Sequence, residues 1–128
     1  MSLLLDSHAL IWYVDQDFLL SDGARAAVSD PSNDLLLSAA TIWEIAIKVG
    51  LGKLTFSLPY RRWISQAMAD LGVAVLPLTV DYADAQTRLP FHHRDPFDRL
   101  LVAQAQIERI PLVSRDPIFD RYDIVRLW

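Results

Sequence analysis

Leu3-Leu4-Leu5-Asp6-Ser7-His8 opens the chain with three consecutive leucines that stop at a carboxylate. An apolar run this short and this unbroken reads as a strand buried on both faces, because a half-exposed strand would alternate apolar with polar residues. Leu35-Leu36-Leu37, Ala74-Val75-Leu76, Leu112-Val113 and Ile124-Val125 are runs of the same kind. Between the five runs lie helical segments at 8–15, 21–29, 41–50, 59–71, 79–88 and 96–109. In the third, Ile42, Ile45, Ala46 and Val49 recur at i, i+3, i+4 and i+7, and Gly50 and Gly52 supply a stop. Strands alternating with helices imply right-handed βαβ units. The expected fold is α/β, with three layers and a central, mostly parallel sheet of about five strands.

The chain has 128 residues, which fit one domain spanning 1–128. Its longest nearly uncharged stretch, Leu35 to Ile47, is broken by Glu44 and falls short of the roughly 18 to 20 apolar residues of a membrane helix. The first residues carry no basic, then apolar, leader pattern, so a cytoplasmic protein is expected. The absence of cysteine leaves oxygen and imidazole as the available metal ligands and favours hard cations. A net charge of −4 argues against a protein that binds nucleic acid by blanketing phosphates. If four of the acids hold metal, the remaining charges balance.

Four acids stand where such a sheet could gather them. Asp6 follows the first strand, Asp116 follows a late one, and Glu44 and Asp98 fall in the first turns of helices. Open α/β sheets bind ligands beyond the carboxyl ends of their strands. Acids gathered there repel one another unless a divalent cation lies between them, so the pocket reads as a Mg²⁺ site for phosphodiester chemistry. Helix capping is the competing explanation. Thr41-Ile42-Trp43-Glu44 has the form of a capping box, and Asp95-Pro96 and Asp116-Pro117 are helix-start signals. Asp6 could cap the helix that begins near Ser7 or His8. An acid at a helix N-terminus can serve the dipole and a metal together.

Asp6-Ser7-His8, Ser38-Ala39-Ala40-Thr41-Ile42-Trp43-Glu44-Ile45, the run from His93 through Asp95-Pro96-Phe97-Asp98 to Ala105, and Val113-Ser114-Arg115-Asp116-Pro117 together resemble a PIN-domain protein. The likeness is strongest to the VapC-type toxins of bacterial toxin–antitoxin pairs and covers nearly the whole chain in order. It implies a metal-dependent endoribonuclease that leaves a 5′-phosphate and a 3′-hydroxyl, with Asp6, Glu44, Asp98 and Asp116 as its four acidic positions. On this reading Mg²⁺, or Mn²⁺ in its place, is held by Asp6 and Asp98, with Asp116 completing the site directly or through water. Glu44 holds or deprotonates the attacking water. Ser7 and Ser114 match polar positions beside the acids and would orient them. The implied partners are RNA, a VapB-like antitoxin and a second copy of the chain.

Arg94, Arg99 and Arg115 are the nearest candidates for gripping phosphate, with Lys48, Lys53, Arg61 and Arg62 further out. A solvated face or an ion pair would account for any one of them. His8, His92 and His93 invite a general-acid role, but His92-His93 lack helical metal-ligand spacing and read as surface or turn residues. Of Trp12, Trp43, Trp63 and Trp128, most belong to the core. Trp43 and Ile47 lie off the apolar stripe of their helix, which fits a second buried face against a partner. A PIN-like module that binds without catalysis, and a phosphoacceptor receiver domain, are the alternatives. A receiver normally needs paired acids after its first strand and a late lysine, and here Asp6 stands alone and no lysine follows Lys53.

Overall fold

The computed structural model describes residues 1–128. Five strands, β1 (Ser2–Leu5), β2 (Asp34–Ser38), β3 (Ala74–Leu76), β4 (Leu112–Val113) and β5 (Arg126–Leu127), form one sheet in the order β3-β2-β1-β4-β5. Every pairing is parallel, and β1 lies at the centre with Leu3 opposite Leu35 and Leu5 opposite both Leu37 and Val113. Six α-helices connect the strands: α1 (Ser7–Val14), α2 (Asp22–Ser29), α3 (Ala39–Gly50), α4 (Tyr60–Leu71), α5 (Val80–Gln86) and α6 (Pro96–Glu108). A 3₁₀ turn, Pro117–Arg121, follows β4.

The leucine runs sit in the strands because both faces of the sheet are covered. Leu3, Leu5, Leu37 and Val113 point into one core with Ala9 and Leu10 of α1, Ile45 of α3 and Trp63 of α4. Leu4 and Leu112 point into the other, with Leu101, Val102 and Ala105 of α6 and Phe119 of the 3₁₀ turn. Two cores on opposite faces make the expected three layers. A strand order of 3-2-1-4-5 departs from the 2-1-3-4-5 order of a receiver domain, so that alternative falls.

Two local expectations are corrected. The last strand is Arg126–Leu127, two residues beyond Ile124-Val125. The Leu112 amide donates to the Val125 carbonyl, and the ladder runs on from there to Ser114 and Leu127. Ile124 packs beneath the sheet, whereas Val125 is exposed. Helix α3 starts at Ala39 because the Ser38 side chain caps it, accepting from the Ala40 amide at 3.2 Å. Thr41 therefore lies inside the helix, the Thr41–Glu44 capping box does not form, and Glu44 is released from a capping role.

Candidate active site

Parallel strands end on one rim, and α6, which runs back against β4, starts on that same rim. β1 is also where the chain's strand order turns, since it neighbours β2 on one side and β4 on the other. Asp6 leaves β1 at this point, its amide donating to the Val113 carbonyl of β4 at 3.2 Å. Asp116 leaves β4 beside it, while Glu44 on α3 and Asp98 on α6 close the other two sides. All four line one pocket of about 130 Å³ with Ser7, His8, Lys48, Asp95 and Phe119. The sequence places Asp6 and Asp116 110 positions apart, and the fold sets them side by side.

The capping and site readings prove compatible at the level of single oxygens. Asp6 Oδ1 caps α1 by accepting from the Ala9 amide at 2.8 Å. Asp116 Oδ1 caps the 3₁₀ turn by accepting from the Ile118 amide at 3.0 Å, and its Oδ2 faces the pocket 2.9 Å from His93 Nε2. Asp95 takes the capping role at α6, accepting from the amides of Phe97 and Asp98. The Asp98 carboxylate is thereby left free to face the site. Glu44 is buried and pairs with Lys48 at 3.1 Å.

Gathering these acids has an electrostatic cost. Burial first, and then the charges of Asp95, Glu44, Asp6 and Asp116, together push the Asp98 carboxyl up to about 7. Burial also lifts Asp6 above the usual carboxylate range, against the opposing pull of the Ser114 hydroxyl, the Ala9 amide and His8. One side-chain cation, Lys48, reaches into this group of acids. Such a concentration of partly buried oxygen ligands is the chemistry of a hard divalent cation site.

His93 belongs to this site, contrary to the surface position expected of it. It is buried, with Nδ1 3.6 Å from Asp98 Oδ2 and Nε2 2.9 Å from Asp116 Oδ2. One ligand atom from each of His93, Asp98 and Asp116 lies within 4.8 Å of the other two, a tighter group than the expected trio of Asp6, Asp98 and Asp116. Its position two residues before Asp95 of the Asp95-Pro96 helix start is the one sequence signal that could have found it.

Arg99 is also corrected. It is buried, and its guanidinium donates to the carbonyls of Gln86, Leu89, Pro90 and His93 and to Gln86 Oε1. It ties the loop before α6 in place and offers nothing to phosphate. Arg94 and Arg115 are exposed. Arg115 lines a cleft next to the acids with Asp6, His8, Trp12, Asp116 and Pro117. There the His8 ring stacks on Trp12 at 4.9 Å, and the Arg115 guanidinium lies 5.8 Å from the Trp12 ring centre. Lys48, placed further out by the sequence, is in the pocket, whereas Lys53, Arg61 and Arg62 are exposed and outside it. Ser7 lines the pocket, and buried Ser114 accepts from the Asp116 amide at 3.1 Å.

The family model of the PIN domain matches residues 3–125. Ribonuclease VapC16 of Mycobacterium tuberculosis is 44% identical over 64 residues, which are 50% of this chain and 44% of that protein, so the match spans less than half of that relative. Ribonuclease VapC22 of the same organism is 28% identical over 116 residues, 90% of this chain and 87% of that protein. Among solved structures, VapBC2 from Rickettsia felis bound to a DNA fragment from their promoter contains a chain of the same fold. The two superpose with a TM-score of 0.70 at 12% identity over 98% of this chain and 97% of that one.

Proposed function

This chain belongs to the PIN-domain family, and from that membership we propose that it is a metal-dependent endoribonuclease acting as the toxin of a VapBC-type pair. One observation carries the reading: four carboxylates from four separate elements converge on a single rim pocket, where burial and mutual repulsion lift Asp98 to about 7. A fold with no ligand to hold there gains nothing from that repulsion. The non-catalytic alternative has no comparable support, because no acidic position is missing.

Asp6, Asp98 and Asp116 would hold the cation, each with carboxylate oxygen facing the pocket. The fit is supported by the donor set, which is oxygen with one imidazole, and by the His93 Nε2 atom, which is buried and has no hydrogen-bond partner. Mg²⁺ or Mn²⁺, when bound, lowers the pKa of a water and neutralises charge on the scissile phosphate. Glu44, held by Lys48, orients the attacking water and takes its proton. Arg115 and Arg94, both exposed, bind flanking phosphates, and the His8–Trp12 stack beside Arg115 gives a single-stranded base a surface to lie on.

The protein partner in this reading is a VapB-like antitoxin. Trp43, neighbour of Glu44, is 62% exposed and meets Phe97, neighbour of Asp98, edge to face at 5.9 Å. They form an apolar lip on the pocket that an antitoxin segment would cover. Leu78 and Val80, exposed near the edge strand β3, suit a second copy of the chain. The test is cleavage of total cellular RNA by the purified chain with Mg²⁺, with Mn²⁺ and with a chelator, the new 5′ ends being mapped. Cleavage that depends on the metal and disappears in Asp98→Asn is expected, and cleavage retained in the chelator would refute the metal role.

A further inference from the structure

His93 combines features that a packing histidine does not need. Its backbone is fixed on both sides, the amide donating to the Tyr122 hydroxyl at 2.8 Å and the carbonyl accepting from Arg99 at 3.4 Å. Its ring leans on Phe119, with centres 4.7 Å apart. So held, the ring sets Nε2 directly behind Asp116, one of the acids that line the pocket, from a side chain that is 10% exposed. Nε2 lies 2.9 Å from Asp116 Oδ2, yet the two are not in line for a hydrogen bond, and Nε2 is left without a partner. A buried polar atom without a partner is costly, and so rare.

Close but misaligned lone pairs are what two ligands aimed at a common third point present. Adjacent ligands on an octahedral ion with bonds of about 2.1 Å lie roughly 3.0 Å apart, which the His93–Asp116 separation of 2.9 Å matches. Asp98 completes a group with His93 and Asp116 whose ligand atoms lie within 4.8 Å of one another, its Oδ2 standing 3.6 Å from the other ring nitrogen, Nδ1. We propose that His93 Nε2 is a direct ligand of the cation held by Asp98 and Asp116, which makes the centre a mixed nitrogen–oxygen site that prefers Mn²⁺ over Mg²⁺. Imidazole binds first-row transition ions well and Mg²⁺ poorly, so one nitrogen donor among carboxylates tilts selectivity without excluding either ion. The inference rests on the nuclease reading only in needing a cation in the pocket.

The test loads the full chain with Mn²⁺ and reads electron spin-echo envelope modulation for nitrogen coupled to the ion, beside calorimetric titrations with Mn²⁺ and with Mg²⁺. Nitrogen coupling is expected in the parent and in His8→Gln, which controls for the histidine that lines the pocket, and should vanish in His93→Gln. In that variant Mn²⁺ affinity should fall by about tenfold or more and Mg²⁺ affinity by less than about threefold. If His93→Gln does not fold, the double variant His8→Gln/His92→Gln leaves His93 as the sole histidine. Labelling its histidine with ¹⁵N must then convert the coupling from ¹⁴N to ¹⁵N. Mn²⁺ bound without nitrogen coupling, or coupling that survives in His93→Gln, overturns the assignment of His93 and leaves the nuclease reading standing. Failure of both ions to bind overturns both.

Discussion

The two ends of the sheet make an instructive pair. At the amino ends of the strands lies a large cleft, about 820 Å³, lined by Met1, Ser2, Ile110, Pro111, Ile124 and Val125 with Arg109 and Asp123 among them. At the carboxyl ends, the acid pocket has about 130 Å³ and one apolar lining residue. By size and apolar character the first would be the default binding site. Yet the small pocket is where burial and crowded acids raise Asp6 above the ordinary carboxylate range and Asp98 up to about 7. Electrostatic cost accepted by the fold marks function better than volume does.

The largest effect should follow from removing one charge at the small end. Asp98→Asn is expected to lower RNA cleavage by at least ~100-fold, in line with the loss of a preorganised electrostatic group. The fold should survive, because Asp95 and not Asp98 caps α6. An Asp98→Asn protein that cleaves normally would erase the contrast between the ends. Next in size is Arg99→Ala, which removes a buried guanidinium that donates to the carbonyls of Gln86, Leu89, Pro90 and His93 and should destabilise the protein by about 3 kcal/mol or more, read as a lower urea midpoint. Cleavage should then fail through misplacement of His93 and Asp98.

A smaller, signed effect comes from pH. Folding raises Asp98 from 3.8 to about 7, so between those values the native state keeps a proton that the unfolded chain has lost. Stability of the metal-free protein must therefore fall as pH rises across that window and level off above it, with Asp6 contributing in the same direction. Melting temperatures should show this decline, Asp98→Asn should flatten it, and millimolar Mg²⁺ or Mn²⁺ should restore the loss at pH 8 by binding the native state. A rise with pH in metal-free buffer would contradict the raised carboxyls.

Arg115→Ala should leave the melting temperature unchanged, weaken RNA binding several-fold and reduce the salt dependence by about one counterion, measured by anisotropy over a salt series. The least effect is expected at the opposite end. Val125→Ser, in the large cleft, should change cleavage by less than about twofold.

Much of this was legible in the leucine runs. A strand covered on both faces has no polar alternation to display, and that absence distinguishes a three-layer sheet from a sandwich. The acids were legible for a related reason, because Asp6, Asp98 and Asp116 lie next to a strand end or a helix start and so share a rim, while Glu44 stands in the second turn of α3 and not in the first as expected. Three features were hidden. The direction in which Arg99 points depends on the loop carbonyls of Gln86, Leu89 and Pro90, which the sequence does not bring near it. His93 was misread because its neighbours in space, Asp116 and Phe119, are more than 20 positions away along the chain. The Thr41–Glu44 capping box was a pattern without a structure, displaced when Ser38, three residues earlier, took the cap. Local patterns competed there, and the end of β2 decided between them.

The most direct measurement is anomalous diffraction at the manganese edge from crystals of the protein soaked in Mn²⁺. A peak is expected inside the small pocket, within ligand distance of Asp98 and Asp116. A soaked crystal with that pocket intact and no peak in it, or with its strongest peak beside Asp123 in the large cleft, would contradict it.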